Sequence, residues 1–112
     1  MESTRQQKVA RLIQKELADI FQKKSSMLAP GALLTITVVR ISPDLSFAKV
    51  YISIFPVTNK EAILKKIKDS VKEIRGELGN KIKNQLRIVP ELAFYIDDSL
   101  DYADKIDKLL NK

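Results

Sequence analysis

Residues 33 to 55 read LLTITVVRISPDLSFAKVYISIF, and the rest of the chain is best understood from what they form. Leu33 to Ile41 is rich in β-branched residues, with Leu34, Ile36 and Val38 on one face and Thr35, Thr37 and Val39 on the other. Phe47 to Phe55 alternates again, setting Ala48, Val50, Ile52 and Ile54 against Lys49, Tyr51 and Ser53. Ser42-Pro43-Asp44 has the composition of a turn: Pro presets its own φ, and short polar side chains bond their own backbone. Two period-two runs about five residues apart predict an antiparallel hairpin. A hairpin is marginal in water unless an apolar partner covers one face.

Such partners flank it on both sides. Upstream, from about Thr4 to Lys24, Val9, Leu12, Ile13, Leu17, Ile20 and Phe21 fall on one stripe of a helix. Ser3 or Thr4 can cap its start, and Ser25-Ser26 followed by Pro30-Gly31 is expected to end it. Downstream, Thr58-Asn59-Lys60-Glu61 reads as a capping box, and Ile63, Ile67, Val71, Ile74 and Leu78 continue a buried stripe. Gly76, Gly79 and Asn80 predict a kink or break near Gly79, since each Gly costs about 1 kcal/mol relative to Ala inside a helix. Leu92, Phe94 and Ile96, alternating with Ala93 and Tyr95 after Pro90, predict a third strand. Asp97-Asp98-Ser99 suits the start of a closing helix with Ala103, Ile106, Leu109 and Leu110 on its apolar side. The expected fold class is α+β, in the order α-β-β-α-(kink)-α-β-α, as one domain over residues 1–112.

Composition narrows the chemistry. The chain contains 0 Cys and 0 His, which removes disulfides, thiolate nucleophiles, thiolate and imidazole metal sites, and the commonest general base. An enzyme is not expected, and neither is a cofactor or a metal. Asp97 and Asp98 have the composition of an acid pair, but neighbours on an extended segment point apart, so capping is the better account. No run is apolar enough to cross a bilayer, and Met1 to Lys8 lacks the apolar core of a secretory signal. A cytoplasmic protein is expected. Hydrophobic residues at 45% against 30% charged place the chain among folded rather than disordered sequences.

The net charge of +6 is unevenly spread: residues 1–90 hold 17 basic and 8 acidic side chains, residues 91–112 only 3 and 6. A basic body attracts polyanions. On the downstream helix, at about 100° per residue with Ile67 at zero, Arg75, Lys68, Lys72 and Lys65 fall between about 80° and 160°. Asp69, Glu73 and Glu77 fall between about 200° and 280°. Mixed signs at i,i+4 would serve solubility better, so the single-sign flank points to an anionic partner, although charged runs are often only a solvated face. Lys81, Lys83 and Arg87 are expected to extend this flank, and Arg5, Lys8 and Arg11, with Lys15, form a second cluster. Aromatic residues are mostly placed as core by periodicity, so recognition of backbone or shape is expected over base stacking. Gly76-Glu77-Leu78-Gly79 matches the GxxG spacing of a KH clamp, but a plain helix end explains it more simply.

Three separated motifs resemble one family. Arg5 with Lys8-Val9-Ala10 and Ile13-Gln14-Lys15-Glu16-Leu17-Ala18 is similar to the opening helix of bacterial ribosome-binding factor A. Ser42-Pro43-Asp44-Leu45 with Ala48-Lys49-Val50-Tyr51 is similar to its hairpin. Arg87-Ile88-Val89-Pro90-Glu91-Leu92, with Phe94 and Asp97-Asp98-Ser99-Leu100, is similar to its closing segment. The resemblance implies a KH-like (type II) domain, with a three-stranded mixed sheet packed on one side by helices. It implies a monomeric, non-enzymatic assembly factor that binds the immature 30S ribosomal subunit and 16S rRNA. Late maturation, 5′-end rRNA processing and a need that is greatest in the cold come with it, and other assembly factors are further candidate partners. In that family an alanine-x-glycine kink replaces the GxxG loop, and the resemblance sets the kink at Ser70-Val71-Lys72, against Gly79 from periodicity. A general KH-like RNA-binding or protein-interaction module without a ribosomal role is the alternative.

Overall fold

Ser3 opens the first element by a capping box. Its hydroxyl accepts from the Gln6 backbone N–H at 3.1 Å, and the Gln6 side-chain oxygen accepts from the Ser3 N–H at 2.8 Å. Helix α1 then spans Thr4–Leu28. In this computed structural model, which describes residues 3–55 and 59–97, strands β1 (Leu33–Ile41) and β2 (Phe47–Phe55) follow. After them come helices α2 (Lys60–Asp69) and α3 (Val71–Ile82) and strand β3 (Glu91–Ile96). The closing helix expected after Asp97 lies outside the described residues, as does Thr58. The N-cap of α2 falls on Asn59, which takes a left-handed φ of 58° and makes no side-chain cap bond. That is one residue later than the expected box.

Helix α1 runs a turn past Ser25-Ser26. The Ser25 hydroxyl donates to the Gln22 carbonyl, and Leu28 is buried, so packing of Leu28 carries the helix to Ala29 before Gly31, at φ 77°, turns the chain.

The hairpin forms as expected, with Leu33 opposite Phe55 and Ile41 opposite Ala48. The inward set on β1 differs from strict alternation: Ile36, Val39 and Ile41 are buried, and the register shifts between Ile36 and Val38. A β-bulge at Thr37 adds one residue and so exchanges the roles of Val38 and Val39. Polar partners satisfy this irregular stretch. The Gln14 side-chain nitrogen donates to the carbonyls of Ile36 and Thr37 at 3.2 and 3.3 Å, and the Thr37 hydroxyl donates to Asp97 Oδ2 at 2.6 Å.

Strand β3 pairs parallel with β2, Phe47 opposite Glu91 and Ile52 opposite Ile96, giving a mixed sheet in the order β1-β2-β3. A parallel join requires a crossover, and α2 and α3 supply it. Helix α1 lies against β1 and α3, and α2 against β3. Val50, Ile52 and Phe94 from the sheet meet Ile13, Leu17, Phe21, Ile67 and Ile74 from the helices in one core, where the Phe21 and Phe94 rings contact edge to face at 5.8 Å. Tyr51 and Tyr95 stack at 5.5 Å on the other face of the sheet.

The helix break lies at Ser70 and not near Gly79. Ser70 (φ −98°, ψ 8°) separates α2 from α3, within the segment indicated by the family resemblance. Gly76-Glu77-Leu78-Gly79 is interior to α3, so it is neither a clamp loop nor a helix end. The balance of energies explains this. Ile74, Leu78 and Ile82 are all 0% exposed, and burying each contributes about 1.5–3 kcal/mol. Two glycines at about 1 kcal/mol each do not offset that. Gly79 also allows close approach, since a Cβ there would lie 3.0 Å from Val89 Cγ2.

Candidate nucleic-acid interface

Charge segregation on α3 has an internal cause on one side. Helices α1 and α3 run antiparallel along a charged seam. Lys24, whose side chain is only 11% exposed, reaches Glu73 at 2.8 Å and Glu77 at 3.0 Å. Further along, Lys81 Nζ lies 2.6 Å from Asp19 and 3.6 Å from Glu16, and Lys23 reaches Asp19 at 3.2 Å. Hydrogen bonds that Lys24 donates to Glu73 and then to Glu77 raise its pKa. The hydrogen bond from Lys81, followed by that from Lys23, lowers that of Asp19, and Asp19 in turn raises that of Lys81. Glu73 and Glu77 of the acidic flank therefore face α1 and are neutralised there, while Asp69, on α2, makes no ion pair among the described residues.

Lys65, Lys68 and Lys72 remain exposed, with no ion-pair partner among the described residues. The seam separates the two signs: acids are drawn inward to Lys24, and cations are left toward solvent. Lys81 does not join the outward flank. Because α3 continues unbroken through Gly79, Lys81 falls about 20° from the direction of buried Ile74 on the same helix, on the side of α1. The expectation that Lys81 extends the flank depended on the break near Gly79, and the continuous helix removes that premise.

Arg75 is half-buried and committed to the fold. Its Nε donates to the Pro90 carbonyl at 3.1 Å and its Nη2 to the Val89 carbonyl at 2.9 Å. It fastens the segment between α3 and β3 to the helix, which leaves part of a five-donor guanidinium for other partners. This positioning role leaves no signal in periodicity, because it depends on a segment 14 and 15 residues away.

Lys83 and Arg87 are exposed beyond α3, after the Gln85 and Leu86 N–H groups both donate to the Ile82 carbonyl. On α1, Arg5, Lys8 and Arg11 recur every three residues on the outward side, opposite buried Val9 and Ile13. The two cationic clusters, separate in sequence, meet at one place: Arg5 and Arg87 line the same cleft, with the β1–β2 turn as its third wall. Lys66 is a further exposed cation outside the expected list, beside a cleft at Pro30 and Gly31. Among the described residues there is no cluster of three metal-ligating side chains, and no helix long and apolar enough to cross a membrane.

A mixed three-stranded sheet covered by helices on one face, with a broken helix pair as the crossover and cations along its outer side, defines a KH-like α+β domain. The family follows from the chain as a whole. A family model described as ribosome-binding factor A matches residues 5–110, and the chain belongs to that family. It is 57% identical over 112 residues to ribosome-binding factor A of Cytophaga hutchinsonii, covering 100% of this chain and 84% of the relative. It is 43% identical over 108 residues to that of Christiangramia forsetii, covering 96% and 82%. Among solved structures, the crystal structure of ribosome-binding factor A from Thermus thermophilus superposes with a TM-score of 0.70 at 23% identity, covering 81% of this chain and 94% of that one. A Thermus thermophilus homology model, fitted into the cryo-EM map of a complex of that protein with the 30S subunit, gives 0.66 at 24% identity over 80% and 91%. At these identities the structural matches bear on the fold alone.

Proposed function

We propose that this chain is a non-enzymatic assembly factor of the cytoplasm that binds the immature 30S subunit through 16S rRNA and assists late maturation and 5′-end processing. The single observation that carries the RNA-binding part is the one-sided neutralisation of the α2–α3 pair. Acids are spent against α1, while Lys65, Lys68 and Lys72 stay outward and unpaired among the described residues. Lys83, Arg87, Arg5, Lys8 and Arg11 continue the same role around the end of the domain, with Arg75 as a partial contributor. Family membership supports the ribosomal partner. Phosphate neutralisation by such residues makes affinity fall with salt, with a log-log slope of about −0.7 to −0.9 per phosphate.

The test is co-sedimentation of the full chain with immature small subunits. Lys65→Glu, Lys68→Glu and Lys72→Glu combined should abolish association, while circular dichroism and melting temperature stay near wild type because these exposed side chains make no ion pair among the described residues. Association that survives these reversals at moderate salt removes the ridge from the interface. Association that survives nuclease treatment of the subunits points to a protein contact instead.

A further inference from the structure

The cleft shared by Arg5 and Arg87 has features that a phosphate-binding ridge alone does not need. It measures about 260 Å³, slightly under the roughly 300–1,000 Å³ of sites that enclose drug-sized ligands. One planar ring fits such a space better than a folded ligand. Its walls come from three parts of the chain: the first turn of α1, the β1–β2 turn, and residues 85–88. Those walls are held in place. The Glu91 N–H donates to the Ser46 carbonyl at 2.9 Å, and Arg75 grips the carbonyls of Val89 and Pro90.

Three kinds of chemistry meet there. Arg5 and Arg87 are exposed and unpaired among the described residues, so two guanidinium forks are available to an anion. Leu45 and Leu86 are half-buried, and Ile88, at 74% exposure, is the most exposed large apolar side chain among those described. Asp44 supplies an acceptor. Its Oδ1 is saturated by the Ser42 hydroxyl at 2.7 Å, the Ser46 N–H at 3.1 Å and the Ser46 hydroxyl at 2.7 Å. Its Oδ2 has no side-chain partner among the described residues. Leu45 follows in the left-handed region at φ 62°, a conformation that costs an apolar residue energy and that the turn's hydrogen bonds hold in place.

We infer that this cleft takes one unstacked nucleotide of single-stranded RNA, with its phosphate on Arg5 and Arg87, its base against Ile88 and the two leucines, and an exocyclic amino group donated to Asp44 Oδ2. The assignment rests on the RNA-binding reading above and sharpens it. Two arginines against one carboxylate leave the cleft net positive, which favours an anionic ligand. Arginine planes also stack on bases, so either guanidinium can cover an inserted ring. Gln85 also lines the cleft, but its amide offers donor and acceptor alike, so Asp44, the one carboxylate among the lining residues, makes the cleft selective. Cytosine presents an amino group where uracil presents a carbonyl, and a carbonyl facing a carboxylate oxygen is repelled.

The experiment compares binding of short oligocytidylate and oligouridylate to the full chain at one salt concentration, by fluorescence anisotropy. These ligands share charge and ring size and differ at the group that Asp44 meets. Wild type should prefer oligocytidylate by about fivefold, the ratio that about 1 kcal/mol for one net hydrogen bond delivers. Asp44→Asn keeps an oxygen for Ser42 and Ser46 but offers an N–H in place of Oδ2, so it should lose or invert the preference by weakening oligocytidylate relative to oligouridylate. Arg87→Ala should weaken both ligands alike. Equal affinity of wild type for the two ligands, or an unchanged preference in Asp44→Asn, overturns the nucleotide cleft. If the Lys65, Lys68 and Lys72 reversals still abolish co-sedimentation in that case, the ridge stands and the cleft alone falls. Failure of wild type to bind either oligonucleotide overturns the cleft, and retained co-sedimentation of the reversed variant overturns the ridge separately.

Discussion

Replacing Gly76 by Ala should stabilise this protein, and the size of the effect follows from where the residue lies. Gly76 is exposed in the middle of α3, its φ is not positive, and a Cβ built there meets nothing within 4 Å. Alanine therefore gains the helix propensity difference of about 0.8–1.0 kcal/mol with no opposing contact. Unfolding entropy of about 2.1 cal/mol/K per residue over a chain of this length comes to about 0.24 kcal/mol/K, so the melting temperature should rise by about 4 °C. Gly79→Ala is the control. It gains the same propensity, but its Cβ would meet Val89 Cγ2 at 3.0 Å, which should leave the melting temperature at or below that of wild type. Thermal unfolding followed by far-ultraviolet circular dichroism measures both. A fall in melting temperature for Gly76→Ala would refute the continuous helix, and with it the geometry that turns Lys81 toward α1. Unchanged RNA affinity in Gly76→Ala would separate this glycine from any clamp function.

Leu78→Ala empties a site with 0% exposure and should cost about 2–5 kcal/mol, read as a lower urea midpoint at unchanged slope. Arg75→Met removes two hydrogen bonds to backbone carbonyls while keeping the stem, and should cost about 2 kcal/mol. Hydrogen exchange of the N–H groups from Lys83 to Ile88 should speed up in that variant, and unaltered exchange would show that the guanidinium does not fasten the segment. The hydroxyls of Ser46 and Ser42 and the Ser46 N–H hold the Asp44 carboxyl down from 3.8 to about 2. A depressed carboxylate pKa contributes stability that is complete above the unfolded value and lost as pH falls through the folded one. The melting-temperature difference between wild type and Asp44→Ala should therefore be constant above about pH 4 and shrink toward pH 2. A difference that persists at pH 2 would mean that the turn does not depend on the ionised group.

Local pattern carried most of the secondary structure. Ser3 as one of two cap candidates, the apolar stripe from Val9 to Phe21, both hairpin strands and the alternation from Leu92 to Ile96 all correspond to described elements. Each is written in residues close together, where steric preference and periodicity act directly. The readings that missed are places where a local rule met a distant partner. Strict alternation placed Val38 inward, whereas a bulge at Thr37, satisfied by Gln14 and Asp97 from other elements, turned Val39 inward instead. Glycine content placed the break near Gly79, whereas burial of Leu78 and Ile82 kept the helix intact through it.

The candidate interface divides in the same way. Its composition was legible: an excess of cations up to residue 90, a one-sided helix flank, and the absence of Cys and His that narrows the available chemistry. Three motifs, in order, were also enough to point to the family. Which cations stay available could not be read along the chain. Lys24 and Lys81 are drawn into the seam by Glu73 and Asp19, 49 and 62 residues away, Arg75 is bound to two carbonyls, and Arg5 meets Arg87 across the end of the domain. Charge type is a property of the residue, but pairing depends on distance in space, and packing of α1 against α3 sets that distance.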